Sequence, residues 1–480
     1  MRTEVVTRGT AAALGILIGC GGAGCAVGPD YRAPESRLEP FHNAAAATER
    51  KAELPAPPLD QWWMGFNDPA LIRIVERALE QNLDIAAARA RVESARAAAR
   101  EAGAELYPSV DLAAQSAFLH QSLHSPLGTL GRAFPSYNRN QRLYDLGASA
   151  GWEADLFGGL HRGAEAAKAE AESAQARQFA VRVLVAAEAA DGYVQIRGDQ
   201  ARLRLAEAQI ATDSQLLDLV RLRLAAGAAA DREVAQAEAL LAGARASVPP
   251  LRIALEAQMN RLDILMGAQP GTYAVELTTP AEIPTAPAVS IGDGPRDLLR
   301  RRPDVIAAER SLAASNARIG VAIADYYPKI SLSALLGFES LNANRLFTAG
   351  GFQPEAATGL RWRLFDFGRV DAEVAQARGA EAEALAQYRQ SILRAAEDVE
   401  DALRALVELE NQSAELAKEV RALAKVRDTS QEDYEAGAIA LTDVLDADRE
   451  LLAAQDNLAH GRADTARAAV AVFRSLGGGW

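Results

Sequence analysis

Much of this chain is written twice. Tyr107-Pro108-Ser109-Val110-Asp111-Leu112 returns as Tyr327-Pro328-Lys329-Ile330-Ser331-Leu332, and Leu156-Phe157 as Leu364-Phe365. Ala226-Gly227-Ala228 returns as Ala436-Gly437-Ala438, and Leu265-Met266-Gly267 as Ser475-Leu476-Gly477. The offsets lie between 208 and 220 positions. A near-constant offset over most of a chain predicts duplication of one structural unit. Each unit reads helix, hairpin, very long helix, turn, helix. That mixture of a membrane-length hairpin and overlong helices excludes most soluble folds.

A soluble chain of 480 residues usually splits into several domains. The repeat predicts two interleaved halves of one body instead. Lys and Arg number 51 against 64 Asp and Glu, a net charge of −13. Such a balance disfavours nucleic acid, whose phosphates need a basic face. The apolar run Ala11 to Ile18 is too short to span a bilayer as a helix, and no later stretch qualifies. No membrane-spanning helix is expected.

The first residues read as a processing signal. Arg2 and Arg8 precede or flank an apolar stretch from Gly9 to Gly19. Leu17-Ile18-Gly19-Cys20 then has the pattern cut by a lipoprotein signal peptidase, and Gly22-Ala23-Gly24-Cys25 is a weaker match. The alternative for the chain's two cysteines is a Cys20–Cys25 disulfide in an oxidising compartment. A lipidated cysteine places the mature protein outside the cytoplasm. One lipid is a modest anchor, so a second element must hold the protein in its membrane.

Residues 1–25 are therefore read as signal peptide and lipidation region, and 26–66 as an extended arm rich in proline. Trp62 and Trp63 dock the end of that arm. The first repeat covers 67–280 with its hairpin at about 107–158, and the second covers 281–480 with its hairpin at about 327–366. Asp68 and Pro69 open a helix that runs to about Glu105, with Leu71, Val75, Leu79, Leu83 and Ala87 as its apolar stripe.

The hairpins alternate. Val110, Leu112, Ala114 and Phe118 share one face, with Ser109, Asp111 and Gln115 on the other. Tyr144, Leu146, Ala148, Ala150, Trp152, Ala154 and Leu156 alternate with Asp145, Gly147, Ser149, Gly151, Glu153 and Asp155. Ile330, Leu332, Ala334, Leu336 and Phe338 form an apolar face, as do Thr358, Leu360, Trp362 and Leu364 opposite Gly359, Arg361 and Arg363. Loops are read at 119–142 and 339–355. A half-buried soluble sheet alternates in the same way. Strand length and charge on the polar faces favour transmembrane strands lining water.

Nothing stops a helix from about 159 to 226, or from about 367 to 435. At 1.5 Å per residue each reaches on the order of 100 Å, too long for a globular core. Leu385, Tyr388, Ile392, Ala395, Val399, Ala402, Leu406, Leu409, Ser413, Leu416, Val420 and Leu423 alternate spacings of three and four. That period specifies a left-handed coiled seam. Gly227 and Gly437 turn the chain back into antiparallel helices, and Pro249-Pro250 should kink the first of these.

Two hairpins supply four strands, whereas a barrel spanning a membrane needs about eight or more. Open edges in lipid cost several kcal/mol per unpaired backbone group. Three copies give twelve strands. Two give eight, with an interior filled by side chains. The expected fold is an α+β membrane protein: a trimeric 12-stranded transmembrane β-barrel, four strands per protomer, continuous with a long α-helical coiled-coil barrel.

The chain resembles the outer-membrane factor family (TolC-like, NodT/OprM-type lipoproteins). The resemblance rests on Leu299-Arg300-Arg301-Arg302-Pro303-Asp304-Val305, Ala308-Glu309-Arg310, Ile319-Gly320-Val321-Ala322 and Tyr327-Pro328. Cys25-Ala26-Val27-Gly28-Pro29-Asp30-Tyr31, Trp62-Trp63, Asp155-Leu156-Phe157-Gly158 and the Leu476 to Trp480 terminus add to it. The resemblance implies a homotrimer with a twelve-helix periplasmic tunnel and a small equatorial domain. It implies a lipid-anchored outer-membrane location and, as partners, a periplasmic adaptor and an inner-membrane RND-type pump. The implied function is exit of drugs, toxic compounds or metal ions through a tripartite efflux system, with no enzymatic activity and no cofactor beyond the covalent lipid. The cleavage pattern favours Cys20 as the lipid site; the family spacing to Gly28-Pro29-Asp30-Tyr31 favours Cys25.

By the same resemblance Tyr434 to Asp446 is the periplasmic tip. Asp446 matches an acidic ring that constricts the closed tunnel, Thr442 is its narrow neighbour, and Asp443 is a second acidic candidate. The bland alternative is that these carboxylates solvate a helix start. Gly227 and Gly437 mark the adaptor-docking turns, a role compatible with plain helix termination. His120 and His124 have a four-residue spacing but no supporting Cys, Asp or Glu, which is weak evidence for a metal. Two other readings stand: a soluble coiled-coil scaffold, and the outer-membrane channel of a type I protein secretion system.

Overall fold

The computed structural model describes residues 26–480 except 36–38, 51, 135, 292–293, 296–297 and 299–300. Cys20 and Cys25 lie outside the described residues. The chain divides into two compact units. One comprises the start of the arm up to Pro34, Glu93–Glu172 and Glu309–Ala386; the other comprises Glu35–Val92, Ser173–Ala308 and Gln387–Trp480. No described helix is long and apolar enough to cross a membrane.

The first unit is organised by one antiparallel sheet. Its strands are β1 (Ser109–His120), β2 (Asn140–Ala154), β3 (Lys329–Ser340) and β4 (Phe352–Arg361), in the order β1-β2-β3-β4. The two hairpins are joined to each other by the β2–β3 ladder, from Tyr144↔Ser340 to Ala154↔Ile330. The strands reach further into the loops than 119–142 and 339–355 suggest. Residues 352–357 carry Pro354 and Glu355 and lack clean alternation. Pairing with β3, including Phe352 opposite Phe338, makes them a strand anyway. Pro354 lies near the loop end of β4, where a missing amide interrupts little of the ladder. Trp362 and Leu364 correspondingly fall just beyond β4.

The arm is pinned to this unit. Gly28 has φ +92° and a Cβ there would lie 2.5 Å from Gly320 Cα, so only glycine fits. Arg162 donates to the Val27 carbonyl at 3.2 Å and to Asp30 at 2.7 Å, and the Tyr31 hydroxyl donates to Glu309 at 2.6 Å.

In the second unit, Trp62 and Trp63 are buried as the arm's end. Trp62 stacks on Phe473 with ring centroids 5.4 Å apart. A short helix α1 (Ala44–Thr48) precedes them. The helix read from Asp68 to Glu105 is in fact two, α2 (Pro69–Gln81) and α3 (Leu83–Ala104). Asn82 is extended between them; its Oδ1 accepts from the Asp84 and Ile85 amides, and its Nδ2 donates to the Leu265 carbonyl at 3.0 Å. An asparagine side chain that competes for backbone groups ends one helix and caps the next. The break rephases the apolar stripe: Leu83 and Ala87 are exposed, and Ile85, Ala88 and Val92 are buried instead. At the start of α2, Asp68 caps the Ala70 amide at 2.8 Å as its sequence position predicts.

Among the described residues the further helices are α4 (Pro126–Gly131, in the β1–β2 loop), α5 (Gly159–Ala225), α6 (Asp231–Leu265), α7 (Ala274–Thr278), α8 (Pro303–Ala324), α9 (Arg369–Glu435) and α10 (Leu441–Ser475). Lengths recur in order: α3 and α8 have 22 residues, α5 and α9 have 67, and α6 and α10 have 35. Each 67-residue helix is about 100 Å long. Helix α6 continues through Pro249 and Pro250 without interruption. Along α9 every position of the three-four series from Leu385 to Leu423 is buried or half-buried, while Glu397, Asp398 and Asp401 off the series are exposed.

Candidate functional site

Two regions can carry function: the sheet and the ends of the long helices. Opposed residues in an antiparallel ladder share a face. The registers therefore assemble each face row by row. Leu112, Ala148, Leu336 and Pro354 form one row; Val110, Ala150, Ala334 and Ala356 form the next. Trp152, Leu332 and Thr358, then Ala154, Ile330 and Leu360, continue it. These rows are apolar but for Thr358, and polar residues (Ser116, Ser340, Arg142, Asn140 and His120) enter the face only towards the loop end; yet Leu112 is 76% exposed and Leu360 68% exposed. An apolar patch of this extent on a sheet needs a covering.

The other face carries Asp111, Asp145, Glu153, Glu339 and Glu355 beside Lys329 and Arg361, with Gly, Ser and Ala and a few leucines such as Leu335 between them. Asp145 lies directly opposite Glu339. Such a face requires water. One sheet surface thus suits hydrocarbon and the other an aqueous lumen. Among the described residues β1 and β4 each pair on one side only. In lipid those open edges are costly.

The helix ends are built from two like turns. Gly227 has φ +75° and Gly437 φ +77°. Behind them the Ala228 amide donates to Arg223 O and the Ala438 amide to Asp433 O, both at 2.8 Å. These are Schellman closures, which need a left-handed residue and so favour glycine. A Cβ at either glycine would meet nothing within 4 Å among the described residues.

The three residues matched to a constriction sit together on the first turns of α10. Thr442, Asp443 and Asp446 are all exposed in the single chain. The Asp443 carboxylate accepts from the Ala440 amide at 3.1 Å, which is helix-start work. Asp446 pairs with Arg449 at 3.1 Å. His120 is held by Asn140 and Arg139, and the guanidinium that it meets is no neighbour for a cation.

The structure also shows what joins the two turns. Leu216, Leu217, Val220, Leu241, Tyr434, Leu441 and Val444 form one apolar core. Arg223 donates to the Tyr434 carbonyl at 2.7 Å and lies 4.3 Å from the Tyr434 ring centre. Deeper in, Arg427 of α9 pairs with buried Asp448 of α10 at 2.9 Å. Asp213 of α5 is fully buried beside them. Its Oδ1 accepts from Gln209 at 2.6 Å, and its Oδ2 has no hydrogen-bond partner among the described residues. Burial pushes the Asp213 carboxyl up to about 6; Gln209 opposes that, Asp448 adds to it and Arg427 opposes it. Sequence reading passed over Asp213, although a signal existed: it occupies a buried stripe with Ala206 and Val220 at seven-residue spacing. Arg302, in the Arg-Pro-Asp block, pairs with Asp304 at 2.7 Å and Asp398 at 2.8 Å, so that block acts as a helix joint.

Comparison with known proteins adds a third line. A family model described as outer membrane efflux protein matches twice, over residues 74–268 and 294–478. The chain is 31% identical over 447 residues to the pyoverdine export outer membrane protein OpmQ of Pseudomonas putida, covering 93% of each. It is 30% identical to nodulation protein T of Rhizobium leguminosarum bv. trifolii, covering 95% of each. The solved outer-membrane channel OprN superposes with a TM-score of 0.85 at 33% identity, over 95% of this chain and all of that one.

Proposed function

The chain belongs to the outer membrane efflux protein family, and from that premise we propose that it is the outer-membrane exit duct of a tripartite efflux system, completed by two further copies of itself. It is an outer-membrane efflux channel and acts by conducting, not by catalysis. Three copies supply twelve strands around a lumen lined by the acidic face, and the long helices extend as a periplasmic tunnel. The observation that carries this reading is a four-stranded sheet with a band of apolar rows on one face, most of its charges on the other and two open edges. Only ring closure satisfies the edges in lipid.

Further parts of the reading follow from it. The recurring element lengths reflect duplication of one unit. An adaptor docks at the Gly227 and Gly437 turns and an RND-type pump feeds the tunnel. Asp446, Thr442 and Asp443 form the periplasmic constriction, where three like charges around an axis attract cations. A lipid on Cys20 or Cys25 tethers the N-terminus, and the mass of the N-terminal lipopeptide distinguishes the two. Small molecules are the cargo, by analogy with relatives named for pyoverdine and solvent export. Outer-membrane fractionation with native mass measurement in detergent tests the reading: three copies are expected, and a stable monomer overturns it.

A further inference from the structure

The two hairpins are copies in register as well as in shape. Ser109 faces Gly151 in the first, and Lys329 faces Arg361 in the second. The second ladder is the first moved by 220 positions on its leading strand and 210 on its returning strand. A bond outside the ladders obeys the same two shifts: the Trp152 indole donates to Leu106 O and the Trp362 indole to Tyr326 O, each at 2.9 Å. These positions equate Phe157 with Phe367, two residues from the Leu364-Phe365 correspondence that the sequence suggests.

The joint between hairpins is seen once within the chain. There Ala154 faces Ile330 and Trp152 faces Leu332. Just past the strands, Phe157 stacks on Tyr327 with centroids 4.4 Å apart and planes at 16°. Applying the same shifts to this joint maps it onto the two free edges. Their components stand ready: Phe367 is fully exposed, Tyr107 is 72% exposed, and Trp362 and Leu112 are exposed.

We propose that β4 of one copy pairs with β1 of the next in the register of the internal β2–β3 joint, Trp362 facing Leu112 and Arg361 facing Ala113 of the next copy, with Phe367 stacked on Tyr107. The inference rests on the ring reading above. Face chemistry supports it independently of the shift. Leu364 meets Val110, Trp362 meets Leu112 and Leu360 meets Ala114 on the apolar side. On the polar side Arg363 meets Asp111, a pair of opposite charge. A slip by one residue would set apolar side chains against polar ones and break both faces.

Paired cysteines in the full-length chain, expressed in outer membranes, test the register. Directly opposed positions come within disulfide reach, whereas diagonal ones lie at about 7–8 Å, beyond it. Ala113→Cys with Arg361→Cys is expected to give covalent dimers and trimers on a denaturing, non-reducing gel after mild oxidation. Gln115→Cys with Arg361→Cys is expected to stay at monomer mass on that gel, like the parent chain. If native mass shows three copies but the second pair cross-links, or neither does, the register is wrong and the ring stands. A monomeric native mass overturns the ring itself and the seam with it.

Discussion

Replacing Asp213 with asparagine should stabilise the protein at neutral pH. The carboxyl is fully buried, one oxygen is unpartnered among the described residues, and its folded pKa is pushed up to about 6. An exposed aspartate titrates at about 3.9, so the shift is about two units, or roughly 3 kcal/mol at most. The sign follows from which state binds the proton more tightly. Here the folded state does, so the destabilisation is absent below the ordinary aspartate range. It grows as pH rises towards 6 and is complete above it. An asparagine side chain in its place would carry no charge and could still accept from Gln209. We expect Asp213→Asn to raise the thermal midpoint of the detergent-solubilised protein at pH 7.5, by an amount equivalent to about 1–3 kcal/mol. The gap to the parent chain should close as pH falls towards 4. Other carboxylates titrate in both proteins, so the difference between the two pH profiles isolates this site. A gap that is constant with pH, or a lower midpoint for the variant at pH 7.5, would refute the assignment of strain to an ionised Asp213.

Three further outcomes follow. Asp446→Ala should raise single-channel conductance in planar bilayers and weaken block by cations; unchanged conductance removes Asp446 from the constriction. Arg223→Ala removes a hydrogen bond to Tyr434 O and a cation–π contact, together worth about 1–3 kcal/mol. Faster limited proteolysis at the two helical turns is expected, and an unchanged cleavage rate would show that the apolar core holds the turns without it. Gly437→Ala places a methyl at φ +77° with nothing within 4 Å among the described residues, so the cost should be backbone strain alone, about 1–2 kcal/mol. A loss several times larger in thermal melts would mean that something contacts this turn in the assembly.

Much of this molecule was legible because its signals are local. Period-two alternation marked β1 and the core of β2, and the three-four spacing from Leu385 to Leu423 marked the buried side of α9. Gly227 and Gly437 marked the turns, since a left-handed residue at a helix end is a demand of the backbone itself. Two misses share one cause, that a partner distant in sequence outweighed the local pattern. Residues 352–357 became strand because β3 offered hydrogen bonds. Asn82 split a helix partly because its amide found Leu265 O.

The sequence by itself determined the lengths of the two 67-residue helices, the two faces of β1, β2 and β3, and the reversals at Gly227 and Gly437. Each depends on periodicity or on a single residue's conformational freedom. Only the tertiary structure decided that the hairpins join through β2 and β3, in which register, and which edges are left open. It alone brought Asp213, Asp448 and Arg427 together from three helices. Register and burial are properties of pairs far apart in the chain, and no local pattern encodes which partner a strand edge or a buried carboxylate will meet.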